Sequence, residues 1–323
     1  MTSSRLFPFI LCACLFCGAG VFAADPRDFP RWVEAFRKKA GAALPPEQVE
    51  RALLGVQYLP AVIEADQRQP EFVRSFWRYY EAALSEKRIA EGRRLMRERA
   101  ATLERIGREY GVQPHVLLAF WGMETNYGTY WGAHPMISAL ATLAFDERRS
   151  AFFTRELLAA IKIMADGHVP HDTMSSWAGA FGNFQFMPTT FERYALDGDG
   201  DGKIDLFGSL EDSLASAANY LRALGWREKE KWGRPVKLGH ETGELWALVN
   251  SYEQRSVAEF GALGVVAYDG SALPPSTTRA YLVAPNGAAA PMFLIYDNFA
   301  LVMKWNASQS YALSVCLLSD EIA

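Results

Sequence analysis

A mainly helical α+β protein is what this sequence predicts, and three observations predict it. From about Asp28 to Gly128, and again over Arg149–Ala165 and Glu211–Leu224, apolar residues recur every three to four positions with charged residues between them. After Trp226 the texture changes to short β-branched or aromatic runs separated by Gly and Pro. Half of the 323 residues are hydrophobic and no tract is repeated or low in complexity, so the chain is able to bury a sizeable core.

The elements follow in order. MTSSR carries the only charge before Asp25, and LFPFILCACLFCGAGVF is a short apolar run ending in the small residues of VFAA. Residues 1–24 therefore read as a signal peptide cut after Ala23 or Ala24, too short for a membrane span. LCAC also resembles a lipoprotein-processing site, which would make Cys14 a lipid anchor, the lesser reading because the apolar run would then be very short. Cys12, Cys14 and Cys17 all lie in this segment, so the exported chain keeps only Cys316 and no intrachain disulfide. The formal charge is −4, and loss of Arg5 leaves 32 basic against 37 acidic residues. A mildly acidic chain has no electrostatic footprint for nucleic acid.

Residues 25–110 form a helical region, with RWVEAFRKKA, PEQVERALLGV and the long SEKRIAEGRRLMRERAATLERIGREYG as amphipathic segments. Ser85 before Glu86, and Pro114 opening PHVLLAFWGME, mark helix starts. Residues 111–226 follow as a second helical portion, and 227–298 as a small β-rich subdomain built from WGRPVKLG, VVAYDGSALPPS, TTRAYLVAP and APMFLIYDN. The tail, 299–323, returns to helix from Phe299 to about Leu318.

Three segments carry chemistry. In PHVLLAFWGMETNYG, Glu124 shares a helix face with Leu117, Phe120 and Trp121, and Asn-Tyr-Gly then stops the helix. Apolar surroundings and the negative end of the helix both disfavour the ionised carboxylate, and a carboxyl held protonated near neutral pH suits a general acid. The segment alone is better read as a glutamate snorkelling past an apolar stripe at a helix end. SSWAGAFGNFQFMP, Ser175 to Pro188, is a small-residue loop whose Gln185 amide suits a polar ligand, or else a packing loop. LDGDGDGKIDLFGSLED begins like an EF-hand calcium loop, with Asp197, Asp199 and Asp201 at alternate positions, Gly202 at the turn and Ile204 at the buried position. The twelfth residue, where a bidentate Glu belongs, is Gly208.

Taken together, WGMETNYG, ALATLAFDERRSAFF, SSWAGAFGNFQFMP, the Asp-rich loop with SLASAANYL, and IYDNFALVMKWNASQSYAL resemble the membrane-bound lytic transglycosylase B family over nearly the whole exported chain. That resemblance implies a lysozyme-like helical core at 111–226 and an enzyme of the bacterial periplasm that cleaves peptidoglycan glycan strands. Glu124 corresponds to the family's single catalytic acid. Tyr79, Arg148, Arg149, Phe152, Ser176, Gln185 and Tyr220 match positions lining the glycan groove. In the tail, Trp305, Asn306 and Tyr311 match a signature that packs back on the site. Phe184 departs from the family pattern, where a small residue or proline is expected. The calcium loop of the family is longer than twelve residues. It implies a structural Ca2+ held by Asp197, Asp199, Asp201, the Lys203 carbonyl and Asp212 at the sixteenth position, with Glu211 as a weaker substitute.

The family needs no second carboxylate, although Asp146 and Glu147 are candidates by composition. Arg148 and Arg149 suit the carboxylates of a stem peptide, or else ordinary surface pairs. No organic cofactor is implied; the partners are glycan strands and proteins of wall synthesis or division, and the enzyme reads as a monomer. Two other classes compete: a calcium-stabilised peptidoglycan-binding protein without chemistry, against which Glu124 speaks, and a calcium sensor, against which the single hand speaks.

Overall fold

A computed structural model describes residues 25–68, 76–240, 242–285, 287 and 291–323, with the side chains at 76 and 77 left aside. The expected signal peptide lies outside the described residues. After a 3-10 turn at Pro26–Asp28, the chain forms α1 (Phe29–Ala40), α2 (Pro46–Ala52), α3 (Pro60–Arg68), α4 (Phe76–Ala83), α5 (Glu86–Glu98) and α6 (Ala100–Tyr110). Ser85 caps α5 by accepting the Arg88 N–H, as its position before Glu86 predicts. The long charged segment is bent at Arg99 (φ −110°, ψ 18°), yet the Arg99 N–H still bonds to Leu95 and the Leu103 N–H to Arg99. The bend lets Leu95 and Leu103 both reach the core.

Next come α7 (Pro114–Thr125), β1 (His134–Pro135), α8 (Met136–Phe145), α9 (Ser150–Ala165), β2 (Met174–Ser175), α10 (Pro188–Tyr194) and α11 (Leu210–Leu224). Pro114 opens α7, where its missing N–H goes unneeded. Val116 to Gly122 are all buried, and α7 is contacted by α5, α6, α11 and a helix of the tail. A helix apolar all round sits at the centre of a core. Every residue of α8 is buried as well, and it packs chiefly on α9.

The remaining elements are β3 (Gly233–Leu238), α12 (Gly243–Leu248), β4 (Arg255–Ser256), α13 (Val257–Ala262), β5 (Val265–Ala267), β6 (Arg279–Val283), β7 (Met292–Ile295), α14 (Asp297–Trp305) and α15 (Gln309–Ile322). The five strands make an antiparallel sheet in the order β4-β6-β7-β3-β5. All four sequence-read runs supply strands, but the segment also holds α12 and α13. Those two begin at Thr242 and Ser256 caps, the latter a full capping box with Glu259. The tail is two helices rather than one.

Strand β7 is buried on both faces. Met292 and Leu294 join a small core with Val236, Leu245, Val257 and Phe260, whereas Phe293 and Ile295 join the main helical core. Alternation along one strand therefore seams the sheet to the helices. Among the described residues no helix is long and apolar enough to cross a membrane.

Candidate active site

Glu124 lies in the last turn of α7, whose end is firmly fixed. Asn126, Tyr127 and Gly128 follow with φ of 49°, 59° and 77°, three left-handed residues in succession. That reversal folds the Tyr127 ring back onto Gly122, where an added Cβ would lie 2.7 Å from a ring carbon, and the Tyr127 hydroxyl donates to the Arg88 carbonyl at 3.0 Å.

The half-buried Glu124 carboxyl receives two donors on one oxygen. Trp305 Nε1 donates to Oε1 at 2.9 Å, and the buried Tyr311 hydroxyl donates to the same atom. The turn between α14 and α15 aims both. Asn306 Oδ1 accepts the Ser308 N–H at 3.0 Å, and Ser308 Oγ caps α15 by accepting the Tyr311 N–H at 3.3 Å. Trp305 thereby ends one helix and Tyr311 opens the next. The indole is held by Phe120, Tyr220 and Phe186, with ring centroids 4.6, 5.0 and 5.7 Å away. Burial pushes the Glu124 carboxyl up to about 7, against the two hydrogen bonds from Tyr311 and Trp305, which favour the ionised form. Burial, followed by the Glu124 charge, holds the Tyr311 phenol well above its ordinary range.

The loop from Ser175 to Pro188 is more ordered than its composition suggests. Ser176 Oγ accepts the N–H groups of Ala178 and Ala180 at 3.2 and 3.1 Å, closing one turn. Phe181 and Phe186 pair across a tight reversal with Gln185 at φ 48°, and Gln185 Nε2 donates to the carbonyls of Gly182 (3.1 Å) and Trp131 (3.3 Å). Phe184 is 1% exposed, its ring edge-on to Trp305 at 6.4 Å, so the departure from the family pattern is absorbed by the core beneath the acid's donor.

Two residues outside the sequence-read set organise the site. Buried Asn183 accepts from the indoles of Trp121 (3.3 Å) and Trp131 (3.1 Å) and donates to Ser213 and the Phe207 carbonyl. Its carbonyl takes the Thr125 hydroxyl at 2.8 Å, one residue beyond Glu124. An amide between Gly182 and Phe184, in a segment otherwise of small and aromatic residues, is the signal that points to it. Asp66, 3% exposed on α3, pairs with both Arg148 and Arg149. Its sequence signal is its spacing of four from buried Val62.

That pairing answers for the two arginines. Arg148 also bonds to Asp146 at 3.2 Å, and the Arg149 guanidinium lies over Phe153 (5.0 Å) and Trp177 (5.9 Å), next to Ser176. They are anchored from beneath by a buried carboxylate, not merely solvated. Asp146 is committed to Arg148, which removes it as a free second carboxylate. Phe152 is exposed, with Arg155 over its ring at 5.8 Å. Tyr79 is half-buried on α4, which packs against α15, and Tyr220 stacks on Tyr194 at 4.7 Å.

In the Asp-rich loop, one carboxylate oxygen each from Asp197, Asp199 and Asp201 lies within 4.8 Å of the others, all exposed. Asp197 accepts the N–H groups of Gly202, Gly200 and Asp201, which hold it below the ordinary carboxylate range. Asp212, expected as the closing ligand, lies inside the loop. It is 1% exposed, with Oδ1 taking the N–H groups of Gly198 (2.7 Å) and Asp199 (3.3 Å) and Oδ2 that of Asp205 (2.7 Å). These three bonds brace the loop from inside, and Asp212 is not among the three carboxylates that converge. Glu211 pairs with Arg105 at 2.7 Å, and the Asp199 carboxylate also accepts the Ser209 hydroxyl at 2.7 Å.

Comparison with known proteins bears on this geometry. The family model described as the transglycosylase SLT domain, SLT_2, matches residues 28–320. Membrane-bound lytic murein transglycosylase B of Escherichia coli (strain K12) is 30% identical over 224 residues, 68% of this chain, and the match spans 60% of that relative's length. SltB3 from Pseudomonas aeruginosa, solved in complex with NAG-anhNAM-pentapeptide, aligns at TM-score 0.86 and 42% identity over 91% of this chain and 79% of its own. The Escherichia coli lytic transglycosylase Slt35, solved in complex with calcium, aligns at TM-score 0.75 and 25% identity over 90% and 92%. The lysozyme-like lytic transglycosylase fold expected from the sequence is thus the fold of this chain.

Proposed function

The chain belongs to the lytic transglycosylase family defined by the SLT domain, and on that premise we propose that it cleaves the β-1,4 bond between N-acetylmuramic acid and N-acetylglucosamine in peptidoglycan, leaving 1,6-anhydromuramic ends. The carrying observation is a single carboxyl group, Glu124, half-buried and held by two donors on one oxygen, with burial raising its pKa to about 7. Among the described residues no other carboxylate is bonded to it. The crystal complex of SltB3 with an anhydro-sugar pentapeptide supports the same substrate and product class here.

In this mechanism Glu124 gives its proton to the glycosidic oxygen as the bond to muramic C1 breaks, and the substrate acetamido group stabilises the positive charge. Ionised Glu124 then takes the proton of the C6 hydroxyl as that oxygen bonds to C1. The carboxyl returns to its starting state and no water is consumed, which is why one acid is enough where hydrolytic glycosidases need two. The hydrogen bonds from Tyr311 and Trp305 favour the ionised form that exists midway. Gln185, Ser176, Tyr220, Tyr79, Phe152, Asn306 and the Asp66-anchored arginines act on binding and orientation of the strand and its stem peptide.

Calcium belongs to the same reading as a structural ion. Three hard carboxylates converge on one point in a loop of EF-hand spacing, a donor set that fits Ca2+, with the Lys203 carbonyl as the natural fourth ligand. The calcium complex of Slt35 supports it. Export across the inner membrane, with 1–24 removed and the enzyme working on wall strands in the periplasm, completes the proposal. Residues 111–226 act in it as the catalytic portion and 299–323 as the part that packs back. Mass spectrometry of digested sacculi tests it: anhydromuropeptides are expected, whereas reducing-end products would make the protein a hydrolase and no products a binder.

A further inference from the structure

We propose that Tyr130 and Trp131 form an aromatic shelf that holds one sugar ring of the glycan strand beside Glu124. It rests on the activity proposed above but on different residues. Tyr130 is 63% exposed and Trp131 36%, two large adjacent aromatics left open to solvent six and seven residues beyond the acid. The Tyr130 side chain makes no hydrogen bond, ion pair or ring contact among the described residues, so nothing inside the fold accounts for it.

The backbone carrying them is a rigid strap across the site. It starts at the acid's own helix, where the N–H groups of Thr129 and Tyr130 bond to the Thr125 carbonyl at 3.0 and 3.2 Å. Midway, Asn183 fixes the Trp131 indole and Gln185 donates to the Trp131 carbonyl. Phe207 supports the indole edge-on at 5.8 Å. The strap ends at Gly132 (φ 110°), packed so closely on the Ser175–Ser176 backbone that an added Cβ would lie 2.0 Å from the Ser175 carbonyl oxygen. The backbone of both residues and the Trp131 indole are therefore fixed between the end of the Glu124 helix on one side and the Ser175–Ser176 segment and Gln185 on the other.

A pyranose ring presents apolar C–H faces between polar edges, and a solvent-exposed aromatic plane takes such a face without needing to match its hydroxyls. Rigid mounting lowers the ordering entropy lost on binding, which is what a shelf held at both ends supplies. The ligand class is accordingly the saccharide backbone of the strand and not its peptide.

The test titrates peptide-free glycan strands into Glu124→Gln protein by calorimetry, with added Tyr130→Ala, Tyr130→Phe or Tyr268→Ala. Tyr130→Ala is expected to raise Kd roughly tenfold, the size of one lost aromatic anchor. Tyr130→Phe should restore binding, and Tyr268→Ala, 61% exposed on the sheet subdomain, should leave it unchanged. With Glu124 intact, Tyr130→Ala should lose kcat/KM on strands through KM, with an unaltered melting temperature. An unchanged Kd in Tyr130→Ala overturns the shelf, and a Tyr130→Phe as weak as Ala overturns stacking as its basis. Product analysis of the wild type reports separately on the activity, so each reading falls by its own measurement.

Discussion

At Glu124, burial and hydrogen bonding pull one carboxyl in opposite directions, and burial prevails at about 7. Because the folded value is raised above the ordinary 4.5, the neutral form stabilises the fold below about pH 4.5, and that stability is lost as pH climbs through about 7. Glu124→Gln removes the titration. The variant should lose turnover by several orders of magnitude and yet gain on the wild type in thermal melts as pH rises, by up to about 3 kcal/mol at pH 8. Equal melting at pH 8 would show that the carboxylate ionises there without strain. Tyr311→Phe deletes a donor that favours ionisation, so the alkaline limb of the pH–rate profile should move upward; a downward move would reverse the assigned role of that bond. The environment of Glu124 is legible in the sequence because Leu117, Phe120 and Trp121 lie within one helix of it. Asn183 and Asp66 are not, since their partners stand 24 to 83 residues away and no local pattern encodes such pairs.

The Asp-rich loop divides its carboxylates between two tasks, and calcium should tell them apart. Asp197, Asp199 and Asp201 repel one another without a cation, whereas Asp212 stitches the loop backbone from inside. Asp201→Ala should abolish the rise in melting temperature that calcium brings, with little loss in chelator. Asp212→Ala should melt lower even in chelator, having stripped three N–H groups of their acceptor. A full fall to metal independence in Asp212→Ala, with an unchanged chelator melt, would restore it as a ligand. The turn between α14 and α15 permits a similar test. Ser308→Ala removes a helix cap worth about 1 kcal/mol and loosens Tyr311, so activity should fall while Trp305 stays packed, as tryptophan fluorescence would register. Sequence spacing conveys that the Asp loop and the Asn-x-Ser-x-x-Tyr turn exist. It does not convey which side of the loop Asp212 faces, because a carboxylate serves backbone N–H groups and metal equally well.

Across the molecule, the sheet and the helices melt together or not at all if β7 is shared as its alternation indicates. Calorimetry should record a single transition, and Phe293→Ala should lower it by about 3–5 kcal/mol although Phe293 lies in the sheet. Two resolved transitions would make the sheet an independent unit. The overall class was readable from periodicity, but α12 and α13 were hidden because six-residue helices span under two turns and leave little periodic signal. The turn after Trp305 has a consequence in time. Glu124 meets its two donors across 181 and 187 residues of chain, so no partial length of the protein ending before Tyr311 contains a finished acid. Contacts of such separation form late in folding. On the proposed function, an acid completed by the C-terminal turn would be finished only as one of the last events of the chain's own assembly.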